Sequence, residues 1–143
     1  MEVVMKKHTM VMAAMMAVAF TTGMMAQTYN SSDYSKAERG KKNYMMGLRS
    51  SNHGLVESAT MQTAKIKLIV PTARFEDVKN VIDSLSVYGD TPSIRYKAYL
   101  ASNVFENPTW FAAKAYSGYQ DTDEFFAAVA AQLQERILGS RAN

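Results

Sequence analysis

Beyond residue 26 the chain has one histidine, His53, and there is no cysteine anywhere. A single imidazole in the polar stretch SSNHG (50–54) has no second His or Cys with which to share a metal, so it reads as a surface turn residue. The tightest carboxylate cluster is DTDE (121–124), whose three acids could coordinate calcium weakly. Acids also belong in a helix's first turn, where free amides and the macrodipole favour negative charge, and that reading is preferred. There is no GxSxG, no phosphate loop and no dinucleotide fingerprint. The serines fall in caps and turns, without a histidine placed to activate them. The expectation is a chain without catalytic residues, cofactor or metal.

Recognition chemistry is the next possibility. Lys36, Arg39, Lys41 and Lys42 form one basic cluster, which reads as the solvated face of a helix. No aromatic-interleaved basic stripe follows it, as a single-strand nucleic-acid binder would need. Tyr96, Tyr99 and Asn103 lie on the flanks of a helix and are the candidate partner surface, because tyrosine buries area at little entropic cost and keeps a polar tip. Rim packing around a core is the reading preferred for them. Trp110 and Phe111 are expected in the core.

The first residues look like an address rather than part of a domain. Lys6 and Lys7 precede the apolar run VMAAMMAVAF (11–20), and TTGMMAQ (21–27) turns smaller and more polar, as in a secretory signal peptide. Cleavage is expected after Ala26, with Gly23 as the second choice; an uncleaved anchor is the alternative, since Met10 to Ala26 approaches spanning length. Met5 would make a conventional start as well as Met1. Removing Lys6, Lys7 and Glu2 from 16 basic and 13 acidic residues leaves 14 and 12, a near-neutral balance that makes no case for nucleic acid or an anionic membrane. Without cysteine the mature chain can carry neither a lipid at a cysteine nor a disulfide. It must fold on its hydrophobic core, and a composition 48% hydrophobic and 20% charged suits that.

After a polar segment expected to be flexible (27–33), periodicity predicts helices throughout 34–139. Asp33 or Ser35 is placed to cap the first helix, Ser35 forming a capping box with Glu38, and Asn52 to cap the second, which Pro71 ends. Thr72 is expected to cap the third, which Gly89 stops in a left-handed turn. Asp90 or Thr91 should cap the fourth, with Pro92 in its first turn. Asn107 and Pro108 open a short fifth, and Asp121 with Glu124 makes a capping box for the last, which ends at Gly139. The fold class is all-α, as three antiparallel helix pairs.

The pairs look repeated. Leu55, Ala59 and Ile66 stand at offsets 0, 4 and 11, as do Ile94, Ala98 and Phe105, and then Phe126, Ala130 and Ile137. A small residue (Ala59, Ala98, Ala130) lets neighbouring helices approach, and a period near 40 is common in helical solenoids. DTPSIRYKAYLA (90–101) resembles a HEAT repeat through Asp90, Pro92, Ile94, Arg95 and Ala98. The first unit departs from that pattern, with Ser51 in place of Asp90 and Val56 in place of Arg95, so an Asp–Arg ladder cannot link the units. The resemblance extends over 34–138 as architecture and is specific in 90–105. It implies a right-handed, curved protein-binding scaffold; a compact six-helix domain is the alternative. Arg95 is expected to be structural, bonding Asp90, Asp83, Glu57 or helix-end carbonyls. The functional expectation is an exported (periplasmic or secreted), non-enzymatic module with an unknown protein partner, and no nucleic acid or membrane. The alternative is a small ligand-binding or stress-related helical protein with an apolar pocket between helices.

Overall fold

The computed structural model describes residues 31–140. The expected signal peptide (1–26) and residues 27–30 lie outside them. The elements are α1 (Ser31–Leu48), α2 (His53–Ile69), α3 (Glu76–Tyr88), α4 (Pro92–Glu106), a 3-10 turn (Pro108–Trp110), one-turn α5 (Ala113–Tyr116) and α6 (Thr122–Gly139). Among the described residues the regular structure is all helical, and no helix is long and apolar enough to cross a membrane.

Three helix starts follow from their caps. Asn52 accepts from the Leu55 amide at 3.1 Å, and Thr91 Oγ1 from the Ile94 amide at 3.1 Å. Asp121 Oδ1 accepts from the amides of Asp123 (2.8 Å) and Glu124 (3.0 Å). Each uses a side-chain oxygen to satisfy amides that have no partner within the helix.

Other boundaries differ from the sequence reading. α1 already includes residues 31–33, so Ser35 lies inside the helix, where its hydroxyl donates to Ser32 O at 3.0 Å. Glu38 therefore caps nothing, and its Oε1 is buried without a hydrogen-bond partner among the described residues. Thr72 is not a cap. α3 begins only at Glu76, with Phe75 at the cap position and 2% exposed, so burial of that ring rather than a hydroxyl fixes the start. The preceding turn is held by Lys67 Nζ, which donates to Pro71 O (2.6 Å) and Ala73 O (3.3 Å). Gly89 is not left-handed: its φ is −57° and ψ 145°. Space demands the glycine there, since a Cβ would stand 2.6 Å from Leu85 O and 2.7 Å from Ile94 Cγ2. In place of the short fifth helix there is a 3-10 turn without a side-chain cap, followed by α5.

α1 packs on α2 and α3, both α2 and α3 pack on α4, and α6 lies against α2 and α4 together. Being flanked on several sides explains why α4 buries Ile94, Leu100, Ala101, Val104 and Phe105, more than a single stripe. α2 buries even Thr60 and Thr63, whose hydroxyls are satisfied by Val56 O and Ala59 O one turn back. Phe125 packs edge-on against Phe126 (5.0 Å between centroids) and Tyr116 (5.9 Å), fastening the α5 segment to α6. Phe111 is buried with them, whereas Trp110 is 37% exposed, contrary to its expected place in the core.

The three sets of offsets do not share one environment. Ile94 is 2% exposed but Leu55 50%, because α2 enters the core through Val56, one residue out of phase. Ala59 meets α1 at Gly47, where a Cβ would come within 2.8 Å of the Ala59 Cβ. Ala98 is fully buried, while Ala130 is half-buried and Ile137 is 42% exposed. α6 uses Phe125, Phe126, Val129 and Leu133 as its buried face, which turns Ala130 and Ile137 toward an open groove.

Candidate functional site

Two gaps between helices stand out. The first lies between α4 and α6, a shallow groove of about 260 Å³ lined by Tyr96, Tyr99, Ala130, Leu133, Ile137 and Leu138. Tyr96 and Tyr99 are 56% and 49% exposed, and Leu138 is 54% exposed on the facing helix. Asn103 stands one turn beyond Tyr99 and donates its amide to Tyr99 O at 2.9 Å, so part of its bonding capacity is spent within α4. The structure thus brings Tyr96, Tyr99 and Ala130 to one groove and leaves Asn103 beside it.

An ion cluster anchors α4 beneath this groove. Lys97 sits between the tyrosines in sequence but points inward, with its side chain 8% exposed. Its Nζ contacts Glu57 Oε2 of α2 at 2.6 Å and Asp123 Oδ1 of α6 at 2.5 Å. Ser93 Oγ donates to the other Glu57 oxygen at 2.7 Å. Burial opposes the charge on both partners. For Glu57, the hydrogen bonds from Lys97 and Ser93 and the lysine charge outweigh it and hold the carboxyl below its ordinary 4.5. For Lys97, the bonds to Asp123 and Glu57 outweigh burial and raise the ammonium above its ordinary 10.5. A lysine kept charged in this way is a poor nucleophile or base; it ties α2, α4 and the first turn of α6 together. Sequence reasoning missed this role. The available signal was a lysine at i+3 from Ile94, on the stripe that the helix buries.

The second gap, the α1–α3 slot, has about 580 Å³ and lies where the end of α1 and the turn after it (Leu48, Arg49, Ser50) face α3. Leu48, Val56 and Ile94 form its floor, and an entire stripe of α3 from Asp77 through Asn80, Ser84 and Tyr88 forms one wall. Lys41 pairs with Asp77 at 2.9 Å at one end. Asp90 closes the other end and faces His53 at 3.4 Å, an ion pair while the imidazole is protonated.

Asp90 is therefore not the partner of Arg95. The half-buried Arg95 donates from Nη1 to Gly89 O at 2.6 Å, a helix-end carbonyl. Asp83 is taken by Lys79 (2.7 Å) and Ser102 (2.7 Å), and Glu57 by Lys97, so neither is the arginine's partner. Among the described residues no group of three or more His or carboxylate side chains is placed to hold a metal ion. Comparison with known protein families, with curated proteins and with solved structures finds no match to this chain.

Proposed function

We propose that the chain is exported and works outside the cytoplasm as a non-enzymatic, HEAT-like helical module that docks a protein partner along the α4–α6 groove. The observation that carries this reading is the pairing of two exposed tyrosines on α4 with exposed Ile137 and Leu138 on α6, over buried Leu100 and Leu133. Exposed aromatic and aliphatic side chains gathered on one rigid face are the composition of an interaction surface, whereas singly scattered ones need no explanation. The groove is shallow and open, which suits an apolar ridge of a helix or strand better than an enclosed small molecule. Export rests on the arrangement of Lys6, Lys7 and the apolar run after them.

Both parts can be tested separately. N-terminal sequencing of the chain recovered from an envelope fraction should begin near Gln27; an intact residue 1–26 segment on cytosolic protein would remove the export reading. A photo-crosslinking residue at position 99 should give a discrete adduct, while one at Arg39, exposed on α1, should not. Equal adducts at both positions would mean non-specific stickiness.

A further inference from the structure

We propose that the α1–α3 slot is a separate binding site for a small amphipathic carboxylate, with the carboxylate held by Arg49 and the apolar body lying on Leu48, Val56 and Val81. Its volume of about 580 Å³ falls in the usual range for small-ligand pockets, roughly 300–1,000 Å³. The stripe on α3 from Asp77 to Tyr88 makes it about 16 Å long at 1.5 Å rise per residue, an elongated shape. Apolar floor and polar rim together call for a ligand with both characters.

The lining carries two carboxylates, Asp77 and Asp90, and one cation, Arg49, which stands exposed at the rim. At one end Lys41 is spent on Asp77, and Glu38 and Glu76 also act on it, so that end repels anions. At the other end Asp90 faces His53, and Arg95 lies behind Gly89, bonded to its carbonyl. Arg49 lines the slot, and among the described residues it has no carboxylate within ion-pair reach. The slot is thus polarised, with Arg49 offering a planar donor fork suited to a carboxylate. Asn80, Ser84 and Tyr88 line the same rim and can donate to a ligand's polar atoms.

The probes are octanoate, octanol and octyltrimethylammonium, which share a tail and differ in charge. Each is titrated into the ¹⁵N-labelled full-length chain while amide shifts are followed. Octanoate should shift the amides of Arg49, Ser84 and Tyr88 saturably and bind about tenfold tighter than octanol, the difference a charge-assisted bond supplies. Arg49→Gln should reduce octanoate to the affinity of octanol, and Arg49→Lys should keep part of the difference. Ser84→Trp, filling the slot from an exposed α3 position, should abolish the shifts with an unchanged melting midpoint. Equal binding of octanol and octanoate, preference for the cation, no saturable shift at these amides, or binding that survives Ser84→Trp would each overturn the proposal.

Discussion

Across the α4–α6 groove, tyrosines face aliphatic side chains, and beneath them Lys97 is shielded with Glu57 of α2 while reaching an exposed Asp123 on α6. Across the α1–α3 slot the order is inverted: the floor is apolar and the polar pairs stand at the two open ends, as the Lys41–Asp77 ion pair and the His53–Asp90 contact. The difference lies in where each charge meets water. Lys97 and Glu57 are shielded, so their attraction is little screened and their desolvation must be repaid by good geometry. Asp77 and Asp90 are exposed, so their pairs position side chains but contribute little stability. One gap has a shielded pair anchoring its α4 side from below, and the other is only fenced at its rim.

The largest test of that contrast is Lys97→Ala. It leaves Glu57 under-compensated between two helices and should cost about 3 kcal/mol in a denaturant melt, the low end for breaking a buried pair. The Asp123 arm, with that carboxylate 81% exposed, adds at most about 1 kcal/mol. Lys41→Ala at the slot should leave the melt essentially unchanged, as surface substitutions generally do. A pH series sharpens the same point. Glu57's folded pKa lies below 4.5, so its contribution is present above 4.5 and is lost as pH falls through the lower folded value. Lys97's lies above 10.5, so its contribution is complete below 10.5 and is lost as pH rises through the higher one. Glu57→Gln should flatten the acid limb; an unaltered limb would place the acid sensitivity elsewhere.

Next in size is a pair of identical substitutions. Ala98→Leu overpacks a fully buried site and should cost about 1–3 kcal/mol. Ala130→Leu projects into the groove and should change stability by less than about 0.5 kcal/mol. Equal midpoints for the two would mean that α6 packs in the phase of α4 after all. Smaller again, Arg95→Ala removes one charge-assisted bond to Gly89 O and should cost about 1 kcal/mol without touching the groove, measured by the same melts.

Local chemistry was readable from the sequence, and relative placement was not. Asn52, Thr91 and Asp121 act within three residues of themselves, so spacing alone located three helix starts. The start of α3 depended on burying Phe75 under other helices, and Gly89 was fixed by the closeness of Ile94, neither of which local spacing reports. Tyr96 and Tyr99 could be placed on a helix flank, but that Ile137 and Leu138 face them depends on α6 resting against α2 and α4 together. The matching offsets at Leu55, Ile94 and Phe126 described amphipathic helices in general, and burial then separated them.

The central claim is that α4 and α6 form one docking surface, and the most direct measurement is the crosslink yield from position 99 with and without Ile137→Asp on the facing helix. Ile137 is 42% exposed, so a carboxylate there should leave the stability within about 0.5 kcal/mol of the parent. The account predicts a drop of about tenfold or more in adduct, because a charge is set into the apolar contact. An undiminished yield with an unchanged midpoint would contradict it, since the partner would then touch α4 without α6.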